Sequence, residues 1–124
     1  MAHLTLLKQG LPTGVTSPDG KIIEEFFGES SSDENKISIA RMIAPAKWRE
    51  PVQRPSFTEY TLVIKGSLQA MVNDEKIIIH AGESLRVPAG TTVRYANPSD
   101  KETEYWSICT PAFSAQKAHI EPVV

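Results

Sequence analysis

Short strand-like segments, separated at close intervals by turn residues, dominate this sequence. Clusters of glycine, proline, asparagine and aspartate are typical of tight turns between strands. About eight strands with a turn every ~8–12 residues predict an all-β sandwich or barrel. From residue 57 onward the apolar and β-branched runs are interrupted by Lys65-Gly66, Asn73-Asp74-Glu75, Ala81-Gly82, Pro88-Ala89-Gly90 and Asn97-Pro98-Ser99-Asp100.

The chain is predicted to form a single domain, residues 1–124. Its 124 residues, 40% of them hydrophobic, suffice for one core but not for two. We expect the core of the domain over about 36–110, N-terminal strands within 1–35 and a tail over 111–124. The only helix expected is a short one near the C-terminus, at 114–121.

Composition and charge exclude several classes of function. The net charge is −2 without a block of like charges, which argues against a surface for nucleic acids or anionic membranes. No run of 18 apolar residues is present, which argues against a membrane span. The N-terminal residues have no basic region before a long apolar run, and Cys109 is the single cysteine. We therefore expect neither a secretory signal nor an internal disulfide, and a cytoplasmic location.

The segment FTEYTLVIKG, residues 57–66, is predicted to be a strand with two covered faces. Side chains two apart on a strand share a face, so Glu59, Thr61 and Val63 fall together and the residues between them lie on the other side. Both faces are largely apolar. The domain interior can cover one face, and a second subunit or the chain's own termini can cover the other. This pattern favours a homodimer.

Two segments resemble the sequence motifs of the cupin superfamily. The first motif of that family ends in a glutamate, six residues and a glycine, as at Glu59 and Gly66. The second is similar to GESLRVPAGTTVRYAN, residues 82–97, in which the motif positions are Gly82, Pro88, Gly90 and Asn97. The resemblance implies a cupin-type double-stranded β-helix, the jelly-roll barrel.

The histidines that bind a metal in that family have no counterpart at the matching positions. The first motif's histidine pair falls on Gln53 and Pro55, and the histidine of the second falls on Val93. Of four expected ligands only Glu59 remains, whereas a transition metal usually takes three or four histidine, cysteine or carboxylate ligands. The chain looks like the histidine-poor branch, as in ethanolamine-utilisation cupins and uncharacterised bacterial single-domain cupins. No cofactor is predicted; a divalent metal, if bound, would use an atypical site on Glu59 and Gln53.

Glu59 is the main candidate for a functional residue. A carboxylate buried without partners is costly, or its pKa rises until it is neutral, so we expect polar neighbours. Tyr95 shares the inward face, Gln53 holds an expected ligand position, and Arg41 is the best internal cation. Trp48 would cap the mouth of the cavity. This set predicts a site for a small polar or anionic metabolite.

Alternative hypotheses remain open at this point. Glu59 and Tyr95 could transfer protons in an enzyme of the isomerase, epimerase or lyase type, or a metal on Glu59 and Gln53 could make an atypical metal-dependent enzyme. Glu59 could equally belong to a structural ion pair, and Arg41 could face solvent. Tyr95 and Trp48 could be packing residues. A cupin-type fold by itself does not choose among these activities.

Overall fold

The chain folds into two facing β-sheets and one short helix. The computed structural model describes residues 5–120, within which no helix is long and apolar enough to cross a membrane. The strands are β1 Thr13–Thr16, β2 Ile22–Phe27, β3 Ser38–Ala44, β4 Trp48–Arg49, β5 Thr58–Lys65, β6 Ser67–Val72, β7 Glu75–His80, β8 Ser84–Val87, β9 Val93–Asn97 and β10 Thr103–Thr110.

The sheets have the antiparallel crossover order of a jelly roll. One has six strands in the order β1-β2-β3-β10-β5-β8, and the other has four in the order β4-β9-β6-β7. All neighbouring strands pair antiparallel. The prediction of an all-β, cupin-type fold is confirmed. The expected barrel is not closed, however, because within residues 5–120 no strand pairing joins the two sheets.

The core lies between the inner faces of the sheets. In β5, Thr61 and Val63 are buried, whereas Tyr60 and Leu62 are 38% and 39% exposed, so the predicted alternation is confirmed. Strand β10 alternates in the same way along its whole length. The buried cluster between the sheets consists of Ala44, Trp48, Val63, Leu68, Ala70, Ile79, Val87, Val93, Tyr95 and Tyr105.

One motif glycine is required by the backbone. Gly66, between β5 and β6, has φ = 84°, a conformation that other residues rarely adopt. A Cβ built on Gly66 would lie 2.8 Å from the hydroxyl oxygen of Thr103, which itself donates a 2.7 Å hydrogen bond to the Ser67 carbonyl. Glycine at this position lets β6 turn back against the start of β10.

The C-terminal helix is a single turn. Helix α1 spans Ala115–Ala118, and Ser114 caps it by accepting a hydrogen bond from the Lys117 amide at 3.2 Å. The predicted helix at 114–121 is therefore present in shorter form, and residue 121 lies outside the described residues.

Candidate functional site

A cavity of about 370 Å³ opens on the inner side of the six-stranded sheet. Strands β1, β2, β3, β5 and β10 form much of its wall, and the segment 50–57 crosses it. Most of the lining is apolar. The polar side chains important for the site are Lys21, Glu50, Gln53, Glu59, Tyr95, Tyr105 and Ser107.

Glu59 lies at the centre of the site because β5 and β10 are neighbours. Cys109 pairs with Glu59 across the ladder, and Ser107, two residues earlier, points to the same side. The Ser107 hydroxyl donates a hydrogen bond to Glu59 Oε2. The other oxygen, Oε1, is buried and has no hydrogen-bond partner among residues 5–120.

Tyr95 brings a second unpartnered group to the cavity. It comes from β9 in the opposite sheet and is 2% exposed, and its hydroxyl has no hydrogen-bond partner in the described part of the chain. Burial raises the pKa of Tyr95, so the phenol is neutral. The hydroxyl lies close to both Glu59 and Thr61, near enough to oppose the rise in the pKa of Glu59, but it forms a hydrogen bond of normal geometry with neither. The cavity therefore presents an unmatched carboxyl oxygen beside an unmatched phenol.

Lys21 supplies the positive charge of the site. Lys21 lies between the turn at 17–20 and strand β2, and its side chain points to the same side as Ile23 and Glu25 of β2, which also line the cavity. The side chain is only 14% exposed. Its Nζ donates to the Tyr105 hydroxyl at 3.4 Å and lies 3.6 Å from Glu50 Oε1. The same ammonium is 4.7 Å from the centroid of the Trp48 ring, a cation–π distance.

The pKa values of these groups follow from burial and from the shared charge. Burial disfavours the Lys21 ammonium, but its hydrogen bond to Tyr105 and the ionised forms of Glu50 and Glu59 outweigh burial and raise its pKa. Burial raises the pKa of Glu50 to about 8, opposed by Lys21. Burial likewise raises the pKa of Glu59, opposed by the Ser107 hydrogen bond and by Lys21. Glu50, which changes protonation near pH 8, is thus held beside a permanent cation.

The structure brings three of the five predicted site residues into the cavity. Glu59, Tyr95 and Gln53 line it. The Gln53 backbone is held by its pairing with Val93, and its side-chain amide donates to Glu50 Oε2 at 2.5 Å.

The other two predicted residues lie elsewhere. Arg41 does not enter the cavity, contrary to the prediction: its position on β3 faces outward, and it pairs with Glu24 at 2.5 Å and Glu104 at 2.8 Å. Trp48 is 3% exposed and belongs to the core beneath Lys21, so it does not cap the cavity mouth as expected.

Sequence reasoning missed Lys21, Glu50, Tyr105 and Ser107. The alternation of 21, 23 and 25 indicates that Lys21 shares a face with apolar Ile23, and the alternation of β10 groups Tyr105 with Ser107. No sequence signal shows that β2 lies in the same sheet as β10, or that Glu50 reaches Lys21.

The donor set does not fit a metal ion. No group of three histidine, cysteine, aspartate or glutamate side chains suited to a metal occurs within residues 5–120. The amide nitrogen of Gln53 is turned toward Glu50, and the Lys21 ammonium already faces that carboxylate. A cation at Glu59 and Gln53 would therefore have one carboxylate ligand and a neighbouring positive charge, which is less than a divalent metal requires.

Comparison with known proteins places this arrangement in a family. Residues 41–109 match the family model described as "Cupin domain". A curated relative from Myxococcus xanthus (strain DK1622), named Endoribonuclease YbeY, is 45% identical over 103 residues. The match covers 83% of this chain and 35% of that protein, so the chain spans about a third of the relative's length.

Solved structures share the fold at low sequence identity. An ethanolamine utilization protein Q from Salmonella typhimurium LT2 superposes with a TM-score of 0.62 at 18% identity, covering 79% of this chain and 75% of that chain. A variant of Streptomyces PAC13 with uridine gives 0.77 at 15%, covering 97% and 94%. The polyketide cyclase RemF from Streptomyces resistomycificus gives 0.69 at 8%, covering 94% and 91%. At these identities the likeness concerns the fold alone.

Proposed function

This chain belongs to the cupin family, and on that basis we propose that it binds a small, neutral, polar molecule in the cavity around Glu59. The observation that carries the proposal is the pair of unpartnered buried groups, Glu59 Oε1 and the Tyr95 hydroxyl, which border the same cavity. Buried polar atoms are almost always hydrogen-bonded in proteins, and the cost of leaving them unmatched is removed when a ligand supplies the missing partners.

The charges of the site support a neutral ligand over the anion considered from the sequence. Among residues 5–120, Lys21 is the only lysine or arginine that lines the cavity, and its ammonium is already opposed by Glu50 at 3.6 Å. An anion would also meet the carboxyl groups of Glu50 and Glu59, which repel it in their ionised forms. Hydroxyl and carbonyl groups of a neutral ligand can form hydrogen bonds to the ammonium or to the carboxyl groups without adding charge.

The apolar part of the lining supports an organic ligand of modest size. Met42, Phe57 and Phe113 lie on the cavity wall, and the volume of about 370 Å³ falls in the usual range for small-molecule sites. The PAC13 structure with uridine is an instance of this fold holding a small molecule. A ligand with an apolar body and two or three hydroxyl or carbonyl groups matches both features.

A thermal-shift screen with neutral polyols, nucleosides and hydroxycarbonyl compounds tests the proposal. Ligands that bind the folded state raise the melting temperature, and the rise should be reduced in Glu59→Gln and in Tyr95→Phe. Glu75→Gln, an exposed carboxylate on β7, is the matched control. The proposal fails if no compound stabilises the wild type, or if Glu59→Gln and Glu75→Gln respond alike.

Two further expectations accompany the binding proposal. We propose that the protein is cytoplasmic, because its single cysteine, Cys109, is a free and buried thiol.

We also propose a homodimer through the outer face of the six-stranded sheet. Tyr60 and Leu62 lie on that face with Ile64, each more than a third exposed, and Trp106 packs beside them across the ladder.

A further inference from the structure

We propose that the cavity is the active site of a cofactor-independent enzyme that removes and returns the proton next to the carbonyl group of a small hydroxyaldehyde or hydroxyketone. Glu59 would act as the base, and the Lys21 ammonium with the Tyr105 hydroxyl would bind the carbonyl oxygen. This inference rests on the proposed binding function, since it names the substrate class and the reaction of the same site.

The electrophilic half of the site is the contact between Lys21 and Tyr105. Lys21 Nζ donates to the Tyr105 oxygen at 3.4 Å and faces Glu50 Oε1 at 3.6 Å, which leaves the Tyr105 proton and one ammonium proton to donate to a ligand. Both groups line the cavity, and both are shielded from water. Two donors 3.4 Å apart in a water-poor site can reach the same oxygen, and such donors stabilise the negative charge of an enolate.

The basic half of the site is Glu59. Ser107 fixes Oε2 by donating a hydrogen bond to it, while Oε1 has no partner among residues 5–120 and is available to a ligand. Tyr105 and Ser107 are two residues apart on one face of β10, about 7 Å along the strand. Because Ser107 holds Glu59, that spacing brings the donor pair and the base to the same part of the cavity.

The reaction balances without another reactant. Glu59 Oε1 takes the proton from the carbon next to the carbonyl, and the electrons of the broken C–H bond form a carbon–carbon double bond. The carbonyl π electrons move to its oxygen, which Lys21 and Tyr105 hold as the enolate. The Glu59 carboxylic acid then returns the proton, or a solvent proton for which it has been exchanged, to the same carbon on either face. For isomerisation, the hydroxyl proton of the enediolate moves to the former carbonyl oxygen, and Glu59 gives its proton to the former carbonyl carbon. The outcomes are solvent exchange, epimerisation and isomerisation.

Ionisation of the site agrees with these roles. The raised pKa of Lys21 keeps it charged over the whole neutral range, and Tyr105 stays a neutral donor because burial raises its pKa. Burial also raises the pKa of Glu59, which makes its carboxylate a stronger base than an exposed one. The remaining groups facing Glu59 are Tyr95, Ser107, Cys109 and Glu50, and burial raises the pKa of the Cys109 thiol to about 12, so Cys109 does not compete for the proton.

Proton exchange in D₂O tests the inference. Hydroxyacetone, glycolaldehyde and glyceraldehyde are incubated with the protein, and loss of the signal of the proton next to the carbonyl is followed by NMR against buffer alone. Glu59→Gln should reduce the enzymatic exchange rate by about 100-fold or more. Lys21→Met should reduce it by about 100-fold, and Tyr105→Phe, which keeps the ring, should also slow it. Lys47→Met, an exposed lysine paired with Asp100, should leave the rate unchanged.

Saturation-transfer NMR on the same samples separates the two proposals. Binding of these compounds without exchange above buffer overturns the catalytic inference and leaves the binding function standing. Exchange that is equal in wild type and Glu59→Gln also overturns it. If none of the three compounds binds and none exchanges its proton, the catalytic inference is overturned. That result also counts against the proposed binding function, which the wider ligand screen tests separately.

Discussion

The ammonium of Lys21 lies 3.6 Å from the carboxylate of Glu50, although 28 residues separate them in the sequence. Strand β2 brings Lys21 to the inner face of the six-stranded sheet, and the crossing segment after β4 brings Glu50 to meet it. The pair determines the charge inside the cavity, because the Lys21 ammonium faces the Glu50 carboxyl group, which would otherwise be buried without a charged partner.

Replacing Lys21 by methionine should destabilise the fold, more strongly at pH 9 than at pH 6. Without its partner, Glu50 must remain a buried unpaired charge or take up a proton, and proton uptake costs more at high pH. We expect a loss of about 3 kcal/mol in the free energy of unfolding at pH 9. Urea denaturation at both pH values measures it. Lys47→Met, which removes an exposed pair with Asp100, should change little, and equal losses in both variants would refute the role of the buried pair.

Stability should fall as the pH rises from about 4.5 to about 8. Glu50 titrates at about 8 in the folded protein, whereas its ordinary value is 4.5, and the pKa of Glu59 is shifted in the same direction. The folded state therefore binds more protons than the unfolded state within this window, and stability decreases as they are lost. The other charged neighbours affect stability outside this pH window. The raised pKa of Lys21 changes the stability only above pH 10.5, and the lowered pKa of Asp19 changes it only below pH 3.8.

Melting temperatures of wild type and Glu50→Gln across this range check the linkage. The variant should show a shallower decrease because it removes one of the two groups responsible, while Glu75→Gln should follow the wild type. A wild-type curve that rises with pH between 5 and 8, with no difference from Glu50→Gln, would show that Glu50 is not protonated in the folded state.

The purified protein should contain well under one equivalent of transition metal per chain. The physical reason is the donor set: Lys21 and the Gln53 amide already contact Glu50, and Ser107 already donates a hydrogen bond to one oxygen of Glu59. Elemental analysis of untagged protein grown in metal-supplemented medium measures this. A stoichiometric metal that is lost in Glu59→Gln would overturn our description of the site.

The outer sheet face should hold two copies of the chain together. A lysine in place of Leu62, which is 39% exposed at the middle of β5, should convert the dimer to a monomer because burying its charge at the interface is unfavourable. Sedimentation velocity at micromolar concentration distinguishes the two states. Glu75→Lys, on the other sheet, is the control. A monomeric wild type would leave this face without the proposed partner.

Much of the fold follows from the sequence because strand alternation and turn residues are local signals. The turn at Gly66 and the inward position of Glu59 are both read from residues within one strand length. The cavity's cation could not be read in that way. Arg41 lies within an apolar strand and Lys21 lies just before one, so the sequence alone does not show which of the two enters the cavity. The pairing of β3 with β2 and β10 shows that Glu24 and Glu104 hold Arg41 on the outer face, whereas Lys21 turns inward.

The most direct test of the central claim uses the methyl groups of methionine. Met42 lines the cavity, whereas Met71 on β6 lies outside it, and labelling with ¹³C-methyl methionine allows the methyl signal of each to be followed. Titration with the neutral polar compounds that stabilise the protein should shift the Met42 signal saturably and leave Met71 unchanged. The shift should weaken in Glu59→Gln and persist in Arg41→Met. A Met42 signal that does not respond to any of these compounds, or that moves equally with Met71, would contradict binding in the cavity.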